Sequence, residues 1–308
     1  MTTDRRSFLS GALAGALLPQ FVRPQRTDAS VEARPQTIRR GRALGVSPRD
    51  RRLVVAHDQR RTIAVGPKLV EVGGQPLELA VSPDGRLVAV TTAFWDEPGL
   101  AIVDLRRAVV LKRLEVGPAP FGVAFSADGD RVVVSGGEQE GEVWIVDARR
   151  FAVLAHRPVG TVPRAVAAVL GRDAAWVALS GLDRVVRVST RTGRIERTLE
   201  TPALPDRVAV SPDGGRLLVS HGGLAAEHVS EIDIATRRLR RHRAGRLPSA
   251  VAWTRSGRRL VALGGAGEVL VIGGKRHRVG GAPRGLAVAG NRAWTVDALS
   301  GAIAQVRA

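Results

Sequence analysis

Cysteine is absent from this 308-residue chain. That excludes a disulfide, a thiolate metal site and a cysteine nucleophile. It also excludes a lipid anchor attached through a cysteine after a signal segment, but it assigns no compartment. Tyrosine is absent as well, and lysine occurs only at Lys68, Lys112 and Lys275. The net charge of +18 is therefore carried almost wholly by arginine. Such a balance fits a polyanionic partner: nucleic acid, anionic lipid or a cell-surface polymer. The competing reading is a solvated surface with arginines spread over it, because no Lys/Arg run is long enough to form a basic tail. No G-x-G-x-x-G opens a helix after a strand, and there is no P-loop or haem-attachment motif. No cofactor is expected.

What is present is punctuation. The chain carries 35 glycines and 17 prolines between short apolar runs, with 44% hydrophobic residues overall. Many short strands joined by tight turns would use residues in this way, and the length suffices for one domain with a large core. The N-terminus reads Asp4-Arg5-Arg6-Ser7-Phe8-Leu9-Ser10, then an apolar run from Gly11 to Leu18. A basic stretch before a short Ala/Leu/Gly run has the pattern of a signal peptide. The arginine pair followed by Phe-Leu resembles a twin-arginine (Tat) signal. The run is shorter than the roughly 20 residues a membrane-spanning helix needs. Residues 1–30 are therefore read as a signal and short linker. Ala14-Gly15-Ala16 is one candidate for cleavage, and the resemblance implies a folded protein delivered to the periplasm or beyond. A frayed helix of a cytosolic protein is the alternative.

From residue 31 onward the chain repeats itself. Ser82-Pro83-Asp84-Gly85 precedes Arg86-Leu87-Val88-Ala89-Val90. Ser126-Ala127-Asp128-Gly129 and Ser211-Pro212-Asp213-Gly214 precede similar apolar runs at Arg131–Val134 and Arg216–Val219. Weaker copies begin at Ser47, Val169, Thr254 and Ala289. Proline presets φ, aspartate bonds its own backbone and glycine accepts positive φ, so each copy is a chain reversal between two strands. A third strand such as Val143–Asp147 and a more basic fourth such as Arg194–Leu199 complete the unit. Steps of about 35 to 44 residues are the period of propeller blades. The fold class is thus all-β: a seven-bladed β-propeller of four-stranded antiparallel blades over residues 31–308. The blades fall near 43–74, 75–117, 118–160, 161–202, 203–245, 246–281 and 282–308. The last has only three strand-like runs, so a strand from residues 35–41, centred on Gln36–Arg40, is expected to complete it and close the ring.

The pattern resembles the YVTN repeat family from about Gly41 to Ala308, with one departure. Val54, Val88, Val133, Trp176, Leu218, Val261 and Trp294 stand where the family's tyrosine would be, and the asparagine position holds His57, Thr91, Gly136, Leu179, His221, Gly264 and Asp297. The resemblance implies the propeller fold. The Gly-His and Trp-Asp signatures of WD repeats are missing.

In a propeller the strand ends opposite the Ser-Pro-Asp-Gly turns converge on the central channel. The residue after the recurrent proline forms one ring: Arg42, Leu77, Phe121, Arg164, Asp206, Ser249 and Arg284, with Glu78 and Arg207 one step further. Converging guanidinium groups at Arg42, Arg164, Arg207 and Arg284 would bind carboxylate or phosphate, unless they turn aside to pair with Glu78 and Asp206. His57, His221 and Asp297 form a second set of candidate ligand-binding residues. They come from different blades, without the short spacing of a zinc site, so no metal is assigned. Trp95, in the loop Phe94–Pro98, is either displayed for stacking or packed on the next blade. Glu78 and His57 are the candidates for acid/base work if the chain is a lactonase-like hydrolase.

These features favour an exported, non-catalytic binding or scaffold propeller, acting as a monomer, with an anionic ligand or a protein partner at the channel mouth. A polyanion such as single-stranded nucleic acid is included among the partners. The lactonase-like hydrolase is the alternative. A further one, implied by similar propellers among dehydrogenase subunits, is an accessory subunit of a periplasmic redox complex.

Overall fold

A computed structural model of the chain describes residues 41–57, 60–93 and 97–307. Across them run short strands only, and every strand pairing is antiparallel. No helix occurs among the described residues, hence none long and apolar enough to cross a membrane. The strands form seven sheets, each built from consecutive strands in sequence order. Six sheets have four strands, and the last has three among the described residues. The fold is the expected seven-bladed propeller. The closing strand expected at Gln36–Arg40 lies outside the described residues, as do the twin-arginine segment and Trp95.

The innermost strands are Gly41–Val46, Gln75–Val81, Pro120–Phe125, Pro163–Ala168, Pro205–Val210, Pro248–Trp253 and Pro283–Ala289. Each touches the inner strand of the next blade, and the first touches the last, which closes the ring by packing. Second and third strands are buried on both faces because neighbouring blades cover them. Val88, Val90, Val132, Val134, Ile102 and Ile145 are fully buried. β-branched side chains suit such twisted, doubly covered sheets. Fourth strands face water, and Val109, Leu111, Val153 and Leu154 are exposed there among charged neighbours.

Hydroxyl groups fix both ends of the inner strands. At the turn end Ser82, Ser126, Ser211 and Thr254 are buried. Their oxygens accept from the backbone N–H that opens the second strand: Leu87 at 2.9 Å, Arg131 at 3.0 Å, Arg216 at 2.8 Å and, one position earlier in its turn, Arg258 at 3.1 Å. At the other end hydroxyls bridge adjacent blades. Thr91 donates to the Phe121 carbonyl at 2.6 Å, Ser249 to the Pro283 carbonyl at 2.6 Å, and Ser135 to the Arg164 carbonyl.

Gly122 shows how tight this junction is. A Cβ there would land on the Arg164 carbonyl, the Val166 nitrogen and the Ser135 hydroxyl. Two of those atoms are backbone of the next blade, which cannot rotate away. Gly122→Ala is expected to cost about 2 kcal/mol through forced separation of blades three and four. Thermal unfolding of the variant against the parent chain checks this, and an unchanged midpoint would show that the junction yields.

Candidate functional site

The site begins with a backbone irregularity shared by all the blades. Where each inner strand enters, its register against the second strand slips, for example between Pro76 and Glu78 and between Pro205 and Arg207. The same slip occurs between Pro248 and Ala250 and between Pro283 and Gly285. Such a bulge re-aims side chains. It lets residues one and two positions after the proline both approach the axis, and which one does so varies by blade.

The result is an axial cavity of about 180 Å³ lined by all seven inner strands. Its charged lining is Arg42, Glu78, Arg207 and Arg284. At the level of Glu78 and Arg207 the other blades contribute small residues, among them Ala43, Ala165, Ala250 and Gly285. That leaves room for two long side chains from blades three places apart in the ring. Glu78 and Arg207 meet there in an ion pair that bridges the channel. Arg207 also lies 3.3 Å from the Asp206 carboxylate. Burial works against its charge, but the attraction of Glu78 and then Asp206 outweighs this and holds its pKa above the ordinary guanidinium value. Arg207 is thus already occupied by carboxylates of the chain itself.

Arg284 has no such counterpart. It lines the cavity without a hydrogen bond or ion pair to any described residue. Arg164 is not among the cavity-lining residues. Its guanidinium stacks over the Phe121 ring, 4.6 Å from the centroid, and that of Arg207 approaches the same ring at 5.4 Å. Phe121 therefore works as a platform between two cations. Leu77 is buried and Ser249 is tied to the blade-seven backbone, so neither lines the cavity.

The second set of sequence candidates is not brought to this cavity. His57 ends the second strand of blade one, is buried, and its Nε2 has no partner among the described residues. Burial, then Arg60, lowers its pKa, so it is held neutral. His221 uses both ring nitrogens, Nδ1 3.1 Å from the Ala203 carbonyl and Nε2 2.8 Å from the Ser230 hydroxyl. Burial lowers its pKa too. Asp297 caps loops: it accepts from the backbone nitrogens of Ala282 at 3.0 Å and Leu299 at 2.9 Å and from the Ser300 hydroxyl at 2.7 Å. Among the described residues no three His, Asp or Glu side chains gather in a way that could hold a metal ion.

One polar cluster escaped the sequence reading. Glu231, on the third strand of blade five, is buried and accepts from Arg216 at 2.9 Å, Arg259 at 2.7 Å and His242 at 2.8 Å. Arg259 comes from blade six, so the cluster ties two blades together. The available signal was a charge at a strand position that holds Ile102, Ile145 and Leu270 in other blades.

Fold and site together define a β-propeller with an arginine-rich axial mouth. No protein-family model matches the chain. A stretch of 95 residues, 30% of this chain and 24% of the relative, is 30% identical to Protein NirF of Stutzerimonas stutzeri. The chain thus matches about a quarter of that protein's length. A chain of Kuenenia stuttgartiensis hydrazine synthase superposes with a TM-score of 0.74 at 18% identity, over 97% of this chain and 99% of that one. That likeness establishes the propeller fold.

Proposed function

We propose that the protein is an exported, non-catalytic binding propeller of the YVTN type whose channel mouth takes a small anionic ligand or an anionic group of a protein partner. The observation that carries this reading is Arg284 in the axial cavity, without a partner among the described residues; Arg164, which shares the Phe121 ring with Arg207, is a second cation of the inner strands. The other charges at the mouth neutralise one another in part, through Glu78 and Asp206. A cavity of about 180 Å³ matches a small group better than a threaded polymer, because the Glu78–Arg207 bridge crosses the channel. The lactonase-like reading is weaker for the same reason. Glu78 is committed to Arg207, and His57 lies outside the cavity lining. Export rests on Arg5-Arg6 and the apolar run behind them.

Calorimetric titration with citrate, and separately with single-stranded DNA, tests the reading. Binding is expected to weaken about tenfold in Arg284→Ala and in Arg164→Ala, the worth of one charge-assisted contact. Single-stranded DNA is expected to show no binding that depends on Arg284 or Arg164, since the bridge bars the channel, and any residual affinity from the arginine-rich surface should fall steeply with salt. Equal affinities in parent and variants would overturn the channel-mouth site. A second reading, an accessory subunit of a periplasmic redox complex, draws on the likenesses to NirF and hydrazine synthase. Stable co-purification with an oxidoreductase from the native source would favour it.

A further inference from the structure

The opposite face of the ring carries the turns between first and second strands. Between those of blades five and six lies a crevice of about 290 Å³. Asp213, Arg216, Trp253, Arg255, Ser256 and Arg259 are among the residues that line it. Arg216 and Arg259 are not loose surface side chains. Buried Glu231 lies beneath them and takes one Nη1 from each, at 2.9 and 2.7 Å. Their remaining N–H groups stay free of that carboxylate. Asp213 is spent on its own turn, where it accepts from the Ser211 hydroxyl and the Gly215 nitrogen. Arg255 has an exposed side chain with no hydrogen bond or ion pair among the described residues. Its backbone nitrogen is held by the Gly290 carbonyl at 2.9 Å, and that of Ser256 by Asn291 Oδ1 at 3.1 Å, so the turn is stapled to blade seven. The indole Nε1 of Trp253 is a buried donor without a partner among the described residues.

The crevice is therefore rich in fixed donors and poor in acceptors. The corresponding crevice between blades three and four holds a single arginine, Arg172, beside Asp128 and Asp173. Asp128 is spent on its turn as Asp213 is, so the difference lies in the two missing arginines and in Asp173. The basic character is absent from that second crevice, so it does not come with the repeat.

We propose that this crevice is a second binding site, separate from the channel mouth, and that it takes a phosphate group. Three guanidiniums, one from a turn and two from second strands, can each offer paired N–H donors. A phosphate carries more oxygens and more charge than a carboxylate, and so uses all three. A bound acceptor beside Trp253 also relieves a donor now left unmet, which is the kind of exception that marks an absent ligand.

Titration with inorganic phosphate tests this, followed by calorimetry and by tryptophan fluorescence. Saturable binding with a fluorescence change is expected, and acetate at equal ionic strength should fail to reproduce it. Arg255→Ala, at an exposed residue outside the core, should weaken phosphate binding about tenfold. Trp253→Phe should lose most of the fluorescence change. Arg284→Ala, which tests the channel mouth, should leave the Trp253 fluorescence change on phosphate addition as it is in the parent. The proposal is overturned if Arg255→Ala binds phosphate like the parent, if acetate serves equally well, or if Trp253→Phe keeps the full optical response. Loss of the fluorescence change in Arg284→Ala would assign the ion to the channel and also end the proposal.

Discussion

Glu231→Ala should lower the stability of the folded chain by about 3 kcal/mol, the scale for removing one partner from a buried ion pair. The carboxylate is only 6% exposed, and its three partners converge from two blades. Removing it leaves the Arg216 and Arg259 guanidiniums facing each other, with no anion between them. For a domain of this size the midpoint of thermal unfolding should fall by about 8 °C. Glu231→Gln keeps the volume and some hydrogen bonds and should fall between variant and parent. The same carboxylate sets an acid limb. Burial alone would raise its pKa, but the bonds from Arg216, Arg259 and His242 prevail and lower it from 4.5 to about 2. A depressed folded-state pKa means that stabilisation is complete above the unfolded value and is lost as pH falls through the folded one. That part of the stability, about 3 kcal/mol by linkage, should therefore persist above pH 4.5 and vanish toward pH 2. In Glu231→Ala the decline between those values should be visibly shallower. Equal acid unfolding curves for the two proteins would remove Glu231 from its assigned part.

The propeller was readable because turn chemistry is local. Ser82, Ser126 and Ser211 announce a reversal by their neighbours alone, and each hydroxyl holds the turn it announced. Blade four reverses at Val169-Leu170-Gly171-Arg172 without that motif, through an Arg172 nitrogen on the Val169 carbonyl at 3.3 Å. Periodicity around it located the turn where composition did not. Continuous apolar runs in the strands carried equal weight, since a residue covered by neighbours on both faces must be apolar whatever its exact partners are.

The site was less readable for reasons of register. An alternating strand assigns side chains to faces by counting in twos, and a bulge at the strand entry breaks the count. The ring counted from the proline therefore included Leu77 and Ser249, while the cavity is lined by Glu78 and Ala250 in those blades. Arg42 and Arg284 survive the count in blades one and seven. The pairing of Glu78 with Arg207 joins residues 129 positions apart; counting from the proline named Glu78 as a partner for the ring arginines but could not say which arginine would take it. Phe121 shows the same limit. Its place beside Arg164 and Arg207 depends on three neighbouring blades being stacked.

Trp176 carries the largest expected cost of any single truncation in the core, because it fills a joint between whole blades. It sits in the second strand of blade four and is 1% exposed. Around it gather Ala165, Ala174 and Ala178 from blade four and Val208, Leu217 and Ile232 from blade five. The alanines are small because the indole takes the space. Trp176→Ala would leave a void bounded by strand backbones that are pinned by ladder hydrogen bonds on both sides, so collapse into it is restricted. Large-to-small changes of this kind cost about 4 kcal/mol, and the unfolding midpoint should drop by about 10 °C. Trp176→Phe keeps most of the volume and should recover more than half of that. The loss should also loosen blade four, whose inner strand carries Arg164, so citrate affinity should weaken in Trp176→Ala even though the residue lies away from the channel lining. A Trp176→Ala protein that melts like the parent would mean that blades four and five are held together by their edges and not by the side chains between them.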